Sequence, residues 1–393
     1  MSRFRLLPSP EQAAALVEHC RHARFVWNLA VEQQRHWQPG RKAPAYNEQC
    51  AQLTAVRAEY EWLAAGSQTV QQQALRDFAQ AMRNFFHGTH RRPTWRKAGT
   101  HEGFRHVGIK PRHIKRLSRR YGQAWVAKVG WVRFRWTRAI PDTVKSYRVT
   151  LDRSGRWHIA FAAIPEPVPG PGDGVVRVDR GVAVSVALSS GELVRAPGLT
   201  VGEADRLGRL QRRLARARCG SNRRTRAKRA IARLRARETD RRRDWVEKTT
   251  TDVARRFDTI RVEDLDVRAM TRSARGTREC PGTNVAQKRG INREISRQGW
   301  GLLVTRLKHK ALRRLEFVPA AYTSQRCSRC GHVAPENRKS QAVFQCVACD
   351  TGPCNADVNA ARNIAAGRAV TARGDLGTSR SMNREPQLCS PAA

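Results

Sequence analysis

The sequence predicts a chain in two parts, an α+β N-terminal half and an α/β C-terminal half that is followed by a four-cysteine zinc ribbon. Three observations favour this organisation. A segment rich in proline and glycine, residues 165–174, is typical of a linker between two blocks of helix and strand patterns. Beyond it, two apolar strands each end in an acid, at Asp179 and Glu263. Two C-x₂-C pairs then follow with 15 residues between them, at Cys327, Cys330, Cys346 and Cys349.

Composition limits the class of protein and of partner. A chain of 393 residues, 40% of them hydrophobic, is long and apolar enough for two or three folded domains. Its 75 Lys and Arg against 33 Asp and Glu give a net charge of +42, and such an excess favours a polyanionic partner. Nucleic acid is the expected partner, and an anionic membrane surface is the alternative.

The sequence predicts a cytoplasmic protein without a membrane partner. It contains no run of about 18 apolar residues that would span a bilayer, and its N-terminus leads into no signal-peptide core. The cysteines outside the two C-x₂-C pairs show no disulfide framework, which favours a reducing compartment.

The N-terminal elements are predicted from hydrophobic spacing and turn residues. Residues 3–10 have the pattern of a short strand that ends at a Pro-Ser-Pro turn. Apolar residues then recur at helical spacing from Glu11 to about Trp37, and again from Val70 to Phe85. Both stripes are interpreted as helix faces that pack against other elements rather than as binding surfaces.

Residues 88–136 interleave basic and aromatic side chains, and two interpretations stay open. Such a segment can hold phosphates and stack on bases, with candidate contacts at Arg92, Arg96 and Lys97. Alternatively, it includes a strand whose aromatic side chains pack inward while Arg133 and Arg135 face water. A pair of strands is predicted next, at 146–151 and 157–163.

A strongly basic helical hairpin is predicted within the C-terminal half. Residues 206–243 hold 17 Lys and Arg against 2 Asp and Glu, while leucines recur at helical spacing on one side. A run of charge is usually only a solvated face, but repulsion within so single-signed a segment favours an anionic ligand. The candidate nucleic-acid contacts here are Arg212, Arg213, Arg216, Arg223, Arg224 and Lys228.

The remaining C-terminal elements are predicted in chain order. Residues 271–293, rich in glycine, arginine and asparagine, are expected to be mobile. A helix at 300–312 and a strand at 315–320 lead to the cysteine pairs. Asn355 is placed to cap a final helix at 356–366, and a disordered tail is expected at 368–393.

Three acids lie at the ends of these elements, at Asp179, Glu263 and Asp357. Carboxylates at the carboxyl edge of a sheet can hold hard divalent cations, and two such ions about 4 Å apart can promote phosphodiester hydrolysis. From spacing alone, each acid could equally be a helix cap or the partner of an arginine. The four cysteines are the stronger signal, because their spacing is typical of a closed zinc site that stabilises the fold.

Several phrases of the sequence resemble the TnpB (OrfB) family, which insertion sequences of bacteria encode and which is related to type V CRISPR effector nucleases. The phrases are Arg5–Gln12, Val178-Asp179-Arg180-Gly181-Val182 and Val262-Glu263-Asp264-Leu265. The most specific one extends from Tyr322 through the zinc ribbon and Glu336-Asn337-Arg338 to Asn355-Ala356-Asp357-Val358-Asn359-Ala360-Ala361.

The resemblance implies an RNA-guided DNA endonuclease with a RuvC-like, RNase H-like nuclease domain and two Mg²⁺ ions. Asp179, Glu263 and Asp357 match the family's catalytic acids, and Cys327, Cys330, Cys346 and Cys349 match its zinc ligands. Under this hypothesis Asp179 bridges the two ions, and Glu263 and Asp357 each complete one site. The implied partners are a guide RNA from the mobile element and target double-stranded DNA, in a bacterial, nucleoid-associated protein.

The family also implies a domain order. It places the inserted ribbon before the last RuvC helix and a β-barrel-like wedge domain, interrupted by a helical recognition domain, in the N-terminal half. The expected segments are a first wedge strand at 1–10, recognition helices at 11–110, the wedge at 111–170, the RuvC-like domain at 171–320 with its basic hairpin at 203–245, the ribbon at 321–354, the last RuvC helix at 355–367 and the tail at 368–393.

The sequence departs from the family pattern at two places. Arg180 follows the first acid, and its side chain is expected to point away from the metals or to pair with Asp179. The segment 350–354 replaces a commoner turn, which makes Cys354 a conceivable substitute zinc ligand. Two alternative functions stay open: an RNA-guided DNA-binding regulator with weak nuclease activity, and an accessory transposase acting in DNA transposition.

Overall fold

The computed structural model of this protein describes residues 2–36, 44–100, 102–163, 166–319, 325–340, 342–350 and 352–365. The predicted tail at 368–393 and the Tyr322-Thr323-Ser324 part of the family phrase lie outside the described residues. The chain forms two compact units, described separately below. Unit 1 comprises Met1–Glu166 and Pro197–Arg243, and unit 2 comprises Pro167–Ala196 and Asp244–Ala393.

Unit 1 is built on an antiparallel sheet of seven strands in the order β2-β6-β7-β1-β5-β4-β3. The strands are β1 Ser2–Leu7, β2 Gly103–Val107, β3 Ile114–Arg116, β4 Tyr121–Val126, β5 Gly130–Arg135, β6 Ser146–Leu151 and β7 Trp157–Ala162. The helices are α1 Pro10–Arg35, α2 Tyr46–Glu59, α3 Glu61–Ala65, α4 Gln68–Phe86, α5 Val201–Arg216 and α6 Asn222–Arg256, whose last turns continue into unit 2.

The predicted apolar stripes of α1 and α4 form part of the core of unit 1. Val26 and Ala30 of α1 and Val70 of α4 are almost fully buried, in one cluster with the sheet residues Phe4 and Phe134. The start of α1 follows from its sequence: Ser9 and Gln12 form a reciprocal capping box, and Pro10 occupies the first turn. The packing interpretation of both stripes is therefore confirmed.

The strands within residues 88–136 confirm the interpretation of inward-packed aromatic residues, and nucleic-acid contact by this segment stays a prediction. Val132 and Phe134 are fully buried, while Arg133 and Arg135 are exposed, as strand alternation requires. Trp125 and Trp131 instead share the outer face, with ring centroids 5.6 Å apart, and Lys115 Nζ lies 4.3 Å from the ring centroid of Trp131. The aromatic residues of these strands thus divide between the core and an outer cationic face.

The basic hairpin, as far as Arg243, groups with unit 1, where it contacts the turn after β6. Arg156 donates to Asp152 Oδ2 at 2.9 Å and to Asp240 Oδ2 of α6 at 2.6 Å. Asp152 also accepts hydrogen bonds from Ser154 and the His158 ring, and these bonds hold its pKa well below the usual range. A polar network therefore fastens the hairpin to the sheet.

Unit 2 contains a five-stranded sheet in the order β10-β9-β8-β11-β12, in which β8, β11 and β12 are parallel. The strands are β8 Val175–Asp179, β9 Val186–Leu188, β10 Leu193–Val194, β11 Thr259–Glu263 and β12 Leu315–Val318. The other elements are α7 Val267–Met270, α8 Val285–Gln298, α9 Trp300–Ala311, β13 Val343–Phe344, β14 Cys354–Asn355 and α10 Ala356–Ala365.

The two faces of this sheet differ in chemistry. Val176 and Val178 of β8 pack with Val253 of α6 and with Leu303 and Leu307 of α9 in an apolar core. The alternate residues of β8 point to the opposite face, which α10 covers. The acid at the end of β8 therefore faces α10 and not the apolar core.

One loop prediction in this unit is wrong. Residues 285–293, predicted to be mobile, belong to α8. Ile295 of α8 is buried, and the Asn292 side chain donates to the carbonyls of Thr271 and Arg272 at 3.0 Å. These tertiary contacts stabilise a helix that glycine, asparagine and arginine content alone does not indicate.

Candidate active site and zinc ribbon

Asp179 and Glu263 end neighbouring parallel strands at the same edge of the sheet in unit 2. The register of β8 and β11 pairs Val178 with Val262, so the two acids are the next residues on each strand. Both are buried, with exposed fractions of 9% and 7%. The strand ends thus place two carboxylates in a region with little access to water.

Asp357 approaches this edge from the first turn of α10. Asn355 Oδ1 accepts hydrogen bonds from the backbone N–H groups of Asp357 and Val358, at 3.0 and 3.1 Å, and so caps the helix as predicted. A Cβ atom at Gly181 would lie 3.7 Å from Asp357 Oδ2, which places this carboxylate beside the loop after Asp179. That same Cβ atom would lie 2.7 Å from the Val184 carbonyl, so glycine is required there.

The electrostatics of the three acids show that they act on one another. Burial, followed by repulsion from Glu263 and Asp357, raises the pKa of Asp179 to about 7. Burial also raises the pKa of Asp357, and the Arg338 guanidinium, whose Nη2 lies 3.8 Å from Asp357 Oδ1, opposes that rise. Carboxylates are the ligands that hard divalent cations prefer, and a cation beside Asp179 would offset this repulsion. Among the described residues, however, only the four ribbon cysteines have ligand atoms that all lie within 4.8 Å of one another.

Arg180 joins the ends of the two acidic strands. Its side chain is 6% exposed, and its Nη2 donates to the backbone carbonyl of Glu263. Burial lowers the pKa of Arg180, while the charges of Glu263 and Asp179 partly offset that effect. The hydrogen bond of Arg180 therefore goes to the neighbouring strand, and the salt bridges of the described residues include no pair between Arg180 and Asp179.

The four ribbon cysteines converge as the sequence predicts. Their Sγ atoms all lie within 4.8 Å of one another, with Cys327–Cys349 at 3.7 Å and Cys330–Cys346 at 3.6 Å. Tetrahedral zinc with Zn–S bonds of about 2.3 Å requires Sγ–Sγ separations of about 3.8 Å, so this donor set fits the ion. Cys354, the conceivable substitute, packs beside this cluster but is not one of the four converging residues.

Buried asparagines hold the ribbon together and attach it to α10. Asn337 donates to the carbonyls of Gln325 and His332 and accepts from the Val347 N–H group. Asn359 of α10 accepts from the Ser328 N–H group at 3.0 Å and donates to the Arg326 carbonyl at 2.8 Å. The ribbon therefore supports the helix that carries Asp357.

Three of the predicted nucleic-acid contacts, Arg224, Arg96 and Arg92, touch other parts of the protein, and the remaining six are exposed. Arg224 donates to the carbonyls of Leu214 and Ala217 and closes the end of α5, and the Arg96 guanidinium lies 3.6 Å from the Trp27 ring centroid. Arg92 is exposed and donates to the Gln34 carbonyl. The other candidates are exposed, and their contacts stay predictions: Lys97, Arg212, Arg213, Arg216, Arg223 and Lys228.

Beside the hairpin, a cleft of about 810 Å³ lies within unit 1. Apolar residues of the hairpin, Leu214, Ile231 and Ala236, line it together with cations such as Arg153 and Lys228 and with the acids Asp152 and Asp240.

Sequence reasoning missed several residues around the acids. Asn337, Arg338 and Asn359 lie within the family phrase but have no role that spacing alone would indicate. Arg177, two residues before Asp179, could have been placed on the same face of β8 by strand alternation. The available sequence signal was an arginine within an otherwise apolar strand. The structure shows that its side chain is fully buried.

Sequence comparison identifies the relatives of this chain. It is 37% identical over 396 residues to "Putative RNA-guided DNA endonuclease InsQ" of Escherichia coli (strain K12), covering 98% of this chain and 96% of that protein. The chain belongs to the TnpB (OrfB) family. Family profiles match residues 152–274 ("Probable transposase"), 300–364 ("Cas12f1-like, TNB domain") and 2–42 ("Helix-turn-helix domain"). In residues 2–36, the described part of the match to the helix-turn-helix profile, the structure is a strand and one long helix.

This TnpB-family chain has further relatives in sequence and in fold. "Putative RNA-guided DNA endonuclease" of Streptomyces pristinaespiralis is 31% identical, covering 95% of this chain and 90% of that protein. A solved structure, the Cas12f1-sgRNA-target DNA complex, matches with a TM-score of 0.54 at 13% identity, over 90% of this chain and 82% of that chain. At 13% identity, the match to this solved structure concerns the fold alone. Among the described residues, no helix is long and apolar enough to cross a membrane.

Proposed function

We propose that this TnpB-family protein is a transposon-associated, RNA-guided DNA endonuclease that hydrolyses DNA phosphodiester bonds at a RuvC-like site. The observation that supports the proposal is a buried pair of acids, Asp179 and Glu263, with the half-buried Asp357 near enough to raise the pKa of Asp179, in a chain 37% identical along its length to a protein named an RNA-guided DNA endonuclease. Carboxylates that are withdrawn from water and repel one another reduce stability, and a protein that only bound DNA would gain nothing from them.

Asp179, Glu263 and Asp357 are the residues that would hold two Mg²⁺ ions. When bound, such ions activate a water and stabilise the leaving oxygen of the phosphodiester. The raised pKa of Asp179 supports this role, because a site prepared for cations has excess negative charge without them. Arg180 would keep the ends of β8 and β11 together through its bond to the Glu263 carbonyl.

The basic surface of unit 1 would hold nucleic acid. We infer that a guide RNA from the mobile element and target double-stranded DNA are the partners, because the net charge of +42 suits phosphate backbones. The exposed cations of α5 and α6 would contribute contacts to these backbones. We also propose the domain order that the family resemblance implies: a wedge domain interrupted by a helical recognition domain, followed by a RuvC-like domain with an inserted zinc ribbon. We propose that the protein is cytoplasmic and associated with the nucleoid.

A plasmid-cleavage assay tests the proposal. The protein is purified with the RNA that it retains, that RNA is sequenced, and a plasmid matching its guide portion is incubated with protein and Mg²⁺. We expect double-strand cuts at the matched site that disappear after RNase treatment. Guided binding without cuts would show a regulator instead, and joining of transposon ends without RNA would show a transposase.

A further inference from the structure

Arg177 is the largest fully buried side chain of the described residues, with an exposed fraction of 0%. It lies on β8 two residues before Asp179, and both side chains therefore point to the face that α10 covers. A guanidinium removed from water is expensive unless it replaces its lost hydration with hydrogen bonds. Its position requires an explanation, because a methionine would fill similar space without that cost.

The contact that Arg177 makes is with α10. Its Nη1 donates to the Arg362 carbonyl at 3.3 Å, more than one turn beyond Asp357 on the same helix. The Nε and Nη2 atoms are buried and have no hydrogen-bond partner within the described parts of the chain.

The neighbouring strand offers a contrast. Arg261 of β11 is the register partner of Arg177, and it forms an ion pair with Glu316 at 2.6 Å. Arg177 has no such pair among the salt bridges of the described ranges, and the bond to the helix carbonyl distinguishes it. Arg261 is therefore a matched control, an arginine in the same row of the sheet with a different partner.

We propose that Arg177 is a positioning residue that holds α10 against the sheet at Arg362 and thereby fixes Asp357 beside Asp179 and Glu263. The inference rests on the proposed function, because it treats Asp357 as a member of the catalytic trio. Asn359 fastens α10 to the ribbon, and Arg177 fastens it to β8. The two attachments together fix the position of the helix. Position matters because a displacement of a catalytic group by about 1 Å can reduce the rate of the reaction about 100-fold.

Hydrogen–deuterium exchange of α10 tests the attachment without any cleavage assay. We expect at least about tenfold faster exchange at 358–365 in Arg177→Met, because the Arg362 carbonyl loses its donor, a smaller increase in Arg177→Lys, and no change in Arg261→Met. Equal α10 exchange in Arg177→Met and Arg261→Met would overturn the proposal. If Arg177→Met does not fold, Arg177→Lys decides: unchanged α10 exchange in that variant overturns it.

A double-mutant cycle tests whether Arg177 acts through Asp357. Mn²⁺, which can replace Mg²⁺ at carboxylate sites, is titrated into each variant and followed by electron paramagnetic resonance. Arg177→Met should weaken Mn²⁺ binding about tenfold in the wild-type background and have no effect in Asp357→Asn, because coupled residues are not additive. An equal loss in both backgrounds would contradict the proposal. Failure of the wild-type protein to cut DNA would reject the proposed function and leave the exchange result valid.

Discussion

Asp179 and Glu263 end two adjacent parallel strands, one residue beyond the register pair Val178 and Val262. Neither acid can move far from the other without breaking the ladder between β8 and β11. Their repulsion and their burial therefore persist in the folded protein, and the pKa of Asp179 rises to about 7. This relationship makes the acid edge sensitive to pH.

The pH dependence of stability follows from the raised pKa of Asp179. Its ordinary value is near 3.8, so between about pH 4 and pH 7 the unfolded state has released a proton that the folded state keeps. Stability without cations should fall across this window, by at most about 4 kcal/mol from this group. Asp179→Asn should remove that contribution, giving a variant that melts above wild type at pH 8 in Mg²⁺-free buffer without chelator.

The control for this experiment is added Mg²⁺. At pH 8 it should raise the melting temperature of wild type and leave Asp179→Asn almost unchanged, because the variant has lost one of the ligands. Identical melting curves for the two proteins in Mg²⁺-free buffer from pH 4 to pH 8 would contradict the electrostatic account of the site.

Removal of zinc should loosen the ribbon and then α10. Zinc sites contribute folding energy, so a strong chelator should lower the melting temperature and speed amide exchange at 325–350. Cys346→Ser should reproduce that effect, since Cys346 is a buried member of the cluster. Cys219→Ser, at an exposed cysteine in the hairpin turn, should leave both measurements unchanged. A ribbon whose exchange is the same with and without chelator would contradict a stabilising metal.

Arg223 and Arg224 are adjacent arginines with different expected roles. Arg224→Ala should lower the free energy of unfolding by about 1 kcal/mol, because the carbonyls of Leu214 and Ala217 lose their donor. Arg223→Ala, at an exposed position, should leave the melting temperature unchanged, weaken nucleic-acid binding and reduce the salt slope by about one. Binding titrations at several salt concentrations measure the second effect, and equal RNA affinity in wild type and Arg223→Ala would remove Arg223 from the contact surface.

Arg338 should set the lower pH limit of cleavage. Its charge opposes the rise in the pKa of Asp357, so Arg338→Ala should move the acidic side of the pH–rate profile to higher pH. Arg329→Ala, an exposed arginine of the ribbon, is the control and should leave the profile unchanged. A profile of Arg338→Ala that overlays wild type would show that Arg338 has no influence on the acid.

The sequence predicts some features of this protein better than others. Spacing alone brings Cys327 and Cys349 together, and strand patterns alone place Asp179 and Glu263 at strand ends, because both signals are local. The roles of Arg224 and Arg177 depend on carbonyls 10 and 185 residues away, which no local pattern reveals. The helix at Val285–Gln298 was missed for the same reason, since tertiary contacts stabilise it.

The most direct test of the central claim measures cleavage and guided binding together in Asp179→Ala, Glu263→Ala and Asp357→Ala. Each acid is proposed to hold the catalytic ions, so each variant should lose cleavage by at least about 1,000-fold, equivalent to about 4 kcal/mol of barrier. Binding of the retained RNA and of matched DNA should stay within about threefold of wild type, roughly 0.7 kcal/mol. Cleavage at the wild-type rate by any one of the three variants would contradict the claim that this trio performs the reaction.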